Sequence, residues 1–175
     1  MDLPMYNEIG IDGGAKYQLG DWKKIAIHSD KEIRGFFGEY AWLSNFHVAP
    51  VLFEGLLYPS SENAYQAAKV KPEFRHHFLT ISPGKSKREW KKHPLLDATS
   101  KDWDARKLEV MRELVRDKFT RNPELKAKLV ATAPRYLEEK LWWKDTFWGV
   151  DIKLGGQNHL GLILMVLRDE FIKCA

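Results

Sequence analysis

Apolar positions recur at two different periods along this chain, and the change falls near residue 58. Short β-branched and aromatic runs occupy Ile33 to Phe37 and Val48 to Phe53, the second followed by Glu54-Gly55 and then Leu56-Leu57-Tyr58. An X-Gly pair between two apolar runs predicts a hairpin, because glycine accepts the positive φ of a tight turn. After this small β element the helical period takes over. Over residues 105–119, Leu108, Met111, Leu114, Val115 and Phe119 share one face, while Arg106, Glu109, Arg112 and Asp117 fall elsewhere. Asn122-Pro123-Glu124 reads as N-cap, first-turn proline and dipole-matched acid, predicting another helix that carries Leu125 and Leu129. A last helix is predicted over residues 158–171, with Leu160, Ile163, Leu164, Leu167 and Phe171 at core spacing. Near the start, Lys23 to His28 predicts one short strand, on an extension or edge hairpin.

Composition narrows the class. A chain of 175 residues, 44% apolar, is large enough to bury a core without staples, and no repeat, low-complexity tract or linker divides it. Its one cysteine, Cys174, excludes a disulfide framework and a cysteine zinc cluster, which points to a reducing, cytoplasmic setting. No apolar run reaches the roughly 18 residues that span a bilayer, and the N-terminus lacks the basic-then-apolar order of a signal peptide. The six histidines show no metal-ligand spacing, so neither a catalytic metal nor a cofactor is expected. A net charge of +4 with a pI near 9.0 suits an anionic partner and equally suits ordinary solubility.

Three stretches could carry chemistry. In "YPSSENAYQAAK", Tyr58 to Lys69, Ser60 is a plausible N-cap and Glu62 falls near the positive end of the helix dipole. Glu62, Tyr65, Gln66 and Lys69 share one helical face; the bland interpretation is a solvated face, and against it stand Ala64, Ala67 and Ala68 opposite, which can only pack closely. In "WWKDTFWGVDIKLGGQNHLG", Trp142 to Gly161, three tryptophans around Asp145 suit a ring-shaped ligand, or equally an aromatic core corner with a turn aspartate. There Gly155-Gly156-Gln157-Asn158 opens the final helix, whose free N–H groups are expected to suit phosphate. In "GKSKREWKKH", Gly84 to His93, five basic residues surround Trp90, as phosphate contact and base stacking require, and as many solvated helix faces also show.

Taken in order, Leu43-Ser44-Asn45-Phe46, Tyr58-Pro59-Ser60-Ser61-Glu62 with Tyr65-Gln66 and Lys69, Trp90, Lys118-Phe119, Asp145 with Phe147-Trp148-Gly149, and Gly156-Gln157-Asn158 with Leu160-Gly161, Met165 and Arg168 resemble the YbiA-like, or NADAR, family. The likeness spans roughly residues 33–171, which sets a domain over 33–173 behind an N-terminal extension over 1–32. It implies a compact, mainly helical α+β fold with a small β element, and N-glycosidase activity. Expected substrates are an unstable phosphoribosylamino-pyrimidine of riboflavin synthesis or ADP-ribosylated guanine in DNA. The second would bring an ADP-ribosyltransferase toxin as partner. Where the family often has histidine after the motif glutamate, this chain has Asn63.

On this resemblance Glu62, Lys69 and Asp145 are the expected catalytic residues. Ser44, Asn45, Phe46, Tyr65, Trp90, Trp148, Gly149, Gly156 and Asn158 are the expected substrate-binding set. Cleaving an N-glycosidic bond builds positive charge on the sugar, which a carboxylate stabilises. A ribosylamine can also open to an imine, so Lys69 fits a Schiff-base nucleophile or, alternatively, a counter-ion to phosphate. The rival from another class is a non-catalytic ADP-ribose or NAD-binding module, stacking the base on Trp148 and holding phosphate at the Gly-Gly-Gln-Asn turn.

Overall fold

The structure is a computed structural model that describes residues 22–174, and these form two compact units. One is built from residues 45–123 and the other from residues 22–44 and 124–174. In chain order the elements are α1 (Trp22–Ile25), β1 (Ile27–His28), β2 (Glu32–Arg34), β3 (Val51–Phe53), β4 (Leu56–Tyr58), α2 (Ser61–Ala67), α3 (Pro83–Glu89) and α4 (Ser100–Arg121). There follow α5 (Pro123–Val130), β5 (Tyr136–Glu138), β6 (Lys140–Leu141), β7 (Val150–Asp151) and α6 (His159–Lys173). Short 3-10 helices cover Gly38–Leu43, Pro72–Leu79 and Trp90–Lys92. This is the mainly helical α+β class expected. Among the described residues, no helix is long and apolar enough to cross a membrane.

In the first unit the predicted hairpin forms, with Val51 opposite Tyr58 and Phe53 opposite Leu56. Glu54 and Gly55 both take left-handed φ values, 43° and 80°, which is what a two-residue turn needs to match strand twist. The hairpin buries Val51, Phe53 and Tyr58, and β3 lies against α4. That helix starts at Ser100, ahead of the expected residue 105, because Thr99 and Asp102 form a reciprocal capping box: Asp102 N donates to Thr99 Oγ1 at 3.3 Å and Thr99 N donates to Asp102 Oδ2 at 2.9 Å. Its buried face carries Val110, Met111, Leu114, Val115 and Phe119. Asn122 corrects an expectation: its Nδ2 donates to the Lys118 carbonyl at 2.6 Å, so the side chain closes α4 instead of opening α5.

In the second unit, β2 pairs antiparallel with the edge strand β1 and parallel with β5, and α6 packs on β5. The strand expected over residues 23–28 is shorter than its sequence suggests. Trp22–Ile25 make a helical turn, closed by Ala26 N donating to the Trp22 carbonyl at 2.8 Å, and the Trp22 ring stacks on Phe37 with centroids 6.1 Å apart. Residues 27–34 are thus an edge hairpin of the sheet.

Gly161 shows why α6 can sit so close to β5. A Cβ there would meet the Leu137 carbonyl and the Asn158 amide at distances no side chain tolerates. Gly161→Ala should therefore lower unfolding free energy by about 2 kcal/mol or more, seen as a lower urea midpoint. An unchanged midpoint would contradict this packing.

Candidate active site

The first unit brings Asn45, Phe46, Glu62, Tyr65, Lys69 and Trp90 into one neighbourhood, and it does so through α2. Ser60 caps this helix, its Oγ accepting from Asn63 N at 3.1 Å, and Glu62 N donates to the Asn45 carbonyl at 3.0 Å. Every residue of α2 is buried, Glu62 at 6% and Gln66 at 4% exposure. The solvated-face interpretation is thereby overturned. Asn63 is satisfied on all sides: its Nδ2 donates to the Phe78 and Ile81 carbonyls at 2.9 and 2.8 Å, and its Oδ1 accepts from Ser60 Oγ at 2.6 Å.

The helix ends at Ala67, and Lys69 follows in a turn that is held from outside. Leu96 N donates to the Lys69 carbonyl at 2.9 Å, and Arg106 Nη2 donates to the Ala68 carbonyl at 2.6 Å while its guanidinium clasps Asp97. So fixed, Lys69 Nζ donates to Gln66 Oε1 at 2.7 Å, and Gln66 Nε2 donates to Glu62 Oε1 at 2.7 Å. Three rings wall the ammonium: Trp90 at 4.4 Å, Tyr65 at 4.7 Å and Trp103 at 5.5 Å from Nζ to centroid. Burial disfavours the charged amine and lowers its pKa from 10.5 to about 8; Glu62 pulls the other way, and Lys87, Lys91 and Lys107 add to the lowering. The result is a lysine that is a usable nucleophile near neutral pH, beside a carboxylate and inside aromatic walls.

Sequence reasoning missed Trp103, whose signal was an aromatic side chain seven residues before Val110 and eleven before Leu114, in phase with the edge of the apolar stripe of α4 and one turn before Lys107. Part of the basic run is paired within its own segment. Glu89 carries much of it internally, with His77 Nε2 at 2.6 Å, Lys92 Nζ at 3.3 Å and Lys85 Nζ at 4.0 Å from its oxygens. Lys87 lies over the Phe46 ring at 5.4 Å and Lys91 over Trp90 at 5.6 Å.

Ser44, Asp145, Trp148, Gly149, Gly156 and Asn158 belong to the second unit. Ser44 is buried at the end of the 3-10 helix over Gly38–Leu43. Asp145 Oδ1 accepts from Phe147 N at 3.2 Å and Trp148 N at 2.9 Å, a turn-closing arrangement. The Trp148 ring packs edge-on against Phe147 at 4.9 Å. The expectation of an anion-binding turn at Gly155–Asn158 needs correcting. The amides of Gln157, Asn158, His159 and Leu160 donate to the carbonyls of Thr146, Gly149, Phe147 and Trp148, so the start of α6 is already satisfied by the chain. Gly149 and Gly156 are demanded by packing, since a Cβ would strike the Glu139 carbonyl in one case and the Gly149 carbonyl in the other. Asn158, at φ 54°, ties three strand groups: Nδ2 donates to Tyr136 Oη and the Leu137 carbonyl, and Oδ1 accepts from Glu139 N. Among the described residues, no three His, Cys, Asp or Glu side chains converge as a metal set.

Comparison with known proteins agrees across both units. The NADAR domain model matches residues 30–172. The chain is similar to the N-glycosidase YbiA of Escherichia coli, 36% identical over 137 residues, covering 75% of this chain and 82% of that one. It is also similar to a riboflavin biosynthesis protein of Vibrio vulnificus, 33% identical over 141 residues, but spans only 35% of that longer protein. The NMR structure of E. coli YbiA superposes with a TM-score of 0.71 at 32% identity, covering 85% of this chain and 89% of that one.

The buried amine makes a pH prediction. Folded Lys69 loses its proton near pH 8 and the unfolded residue near 10.5. Between those values the unfolded state binds more protons, so stability rises with pH; below about pH 8 the cost is constant. Going from about pH 7.5 to about pH 9.5, the wild-type protein should gain on the order of 2 kcal/mol relative to Lys69→Met. Parallel urea titrations of the two proteins check it, and equal slopes would refute a depressed amine.

Proposed function

The chain belongs to the NADAR family, and from that premise we propose that it is an N-glycosidase hydrolysing the bond between ribose C1′ and an exocyclic amine of a heterocycle. The observation that carries this reading is Lys69, an amine held partly neutral by burial, walled by three rings and linked through Gln66 to Glu62. Ring opening of an N-ribosylamine breaks C1′–O4′, puts a proton on O4′ and leaves an imine at C1′. Neutral Lys69 Nζ adds to that carbon, the heterocyclic amine leaves with a proton, and water hydrolyses the lysine imine to release the free sugar. Glu62 stabilises the positive charge at C1′ and carries protons between these steps. Trp90, Tyr65 and Trp103 provide flat apolar surface for the departing ring. Asn45 and Phe46 border the Glu62 end of the site.

The substrate class is an N-ribosylamine bearing phosphate. Names among the relatives favour a phosphoribosylamino-pyrimidine of riboflavin synthesis. ADP-ribosylated guanine in DNA presents the same bond, with an ADP-ribosyltransferase toxin as its source, and the rim of Lys87, Lys91 and Lys107 favours phosphate in either case.

Borohydride added during turnover should trap one sugar on Lys69, located by peptide mass spectrometry, and Lys69→Arg should be inactive despite keeping its charge. Glu62→Gln should lower kcat by roughly 10²-fold with binding nearly intact. An active Lys69→Arg protein with no trapped sugar would overturn the imine route; binding of ADP-ribose with no bond cleavage would instead support the non-catalytic module.

Neutralising the rim separates phosphate from base recognition. Lys87→Gln with Lys91→Gln should raise KM for a phosphorylated ribosylamine by about tenfold or more, with kcat little changed and the dephosphorylated analogue unaffected. Equal effects on both analogues would place the phosphate elsewhere.

A further inference from the structure

Gln66 sits at 4% exposure between the two groups that carry the chemistry, and the valence of those groups fixes its orientation. An ammonium or amine next to it can donate, and a carboxylate can only accept. The amide must therefore turn Oε1 to Lys69 and Nε2 to Glu62, as the two 2.7 Å contacts show. Among side chains of this length only glutamine offers an acceptor at one corner and a donor at the other. Glutamate would set two acceptors against Glu62, arginine two donors against Lys69, and asparagine is one methylene short.

We propose that Gln66 is a positioning residue that keeps Lys69 and Glu62 from pairing directly and holds both toward one substrate carbon. The first half stands on the free protein; the second rests on the N-glycosidase reading above. Without the spacer, the carboxylate at Glu62 and the lysine seven residues on, in the turn that follows the buried helix, would close into an ion pair. The ammonium would then be favoured over the amine, and Glu62 would lose the carboxylate lone pair that should meet the sugar. With it, Glu62 keeps its second oxygen and Lys69 keeps a defined direction. The other titratable groups around Nζ are Tyr65 on α2, Lys87 on α3, Lys91 in the following 3-10 turn and Lys107 on α4. The three neighbouring lysines bring no carboxylate or amide oxygen to accept from Lys69, so none of them substitutes for the spacer.

The test measures Lys69 in the free protein, by the pH dependence of its modification with trinitrobenzenesulfonate followed by peptide mapping, in wild type, Gln66→Met and Gln66→Asn. Methionine conserves volume with no donor and only a weak thioether acceptor, and asparagine keeps the amide but cannot reach both partners. Both variants should move the Lys69 titration upward by about one pH unit or more, and should lower kcat on an N-ribosylamine about tenfold with KM nearly constant. The acid limb of the kcat profile should move with the titration. A titration that stays put or moves downward in both folded variants overturns the proposal whatever the activity. An upward shift in proteins that, like wild type, cleave no N-ribosylamine leaves the spacer standing and removes the glycosidase reading.

Discussion

A seven-residue helix buried from end to end, carrying glutamate, asparagine and glutamine, is the constraint around which the first unit is arranged. Buried polar groups cost about 1–3 kcal/mol each when left without partners. The chain meets that demand from several directions at once: the Asn45 carbonyl takes the Glu62 amide, the carbonyls of Phe78 and Ile81 take Asn63, and Ser60 closes the first turn. The loop at Asn45 and the 3-10 helix over Pro72–Leu79 are thus held to α2 by polar contacts, Arg106 of α4 holds its C-cap Ala68, and the hairpin packs against it. Glu62 and the Gln66 amide meet each other, and Gln66 carries the link on to Lys69.

At Lys69 two effects of opposite sign meet. Ring faces at 4.4 to 5.5 Å attract a cation, and Glu62 does the same through the amide. Desolvation by those same rings, helped by three nearby lysines, opposes the charge and is the larger effect, so the amine settles near pH 8. An aromatic cage around a solvated cation would stabilise charge; one that also strips its water makes protonation reversible within the physiological range.

The fold was legible wherever local chemistry decided it. The hairpin turn at Glu54-Gly55, the apolar stripe of α4 and the core positions of α6 are each visible in a few residues. The start of α4 was not, because its capping box, Thr99 and Asp102, lies more than a turn ahead of the first stripe residue, Leu108. The strand expected at residues 23–28 is cut to Ile27–His28, since Trp22–Ile25 make a helical turn with the Trp22 ring on Phe37, a contact between distant positions that periodicity does not carry. At the site, the spacing of Glu62, Gln66 and Lys69 was readable, but their burial was not: polar residues at helical spacing look alike on a surface and in an interior. The glycines of Trp142 to Gly161 misled for a related reason. A glycine that admits a phosphate and one that admits a neighbouring carbonyl are the same letter, and here the amides at the start of α6 already donate to residues 146–149.

Asn63 draws these threads together. A histidine at this position would be a proton carrier one residue from Glu62, whereas Asn63 carries no titratable proton and spends both amide hydrogens on main-chain carbonyls. Asn63 is a strut, and under the N-glycosidase reading its neighbours do the proton handling. Within the described part of this unit the group placed to do so is the Glu62–Gln66–Lys69 row, where a carboxylate and a partly neutral amine lie on either side of an amide that cannot itself titrate. Under the N-glycosidase reading, acid–base work and nucleophilic attack fall to Glu62 on α2 and to Lys69, seven residues on and fixed in the turn that follows the helix.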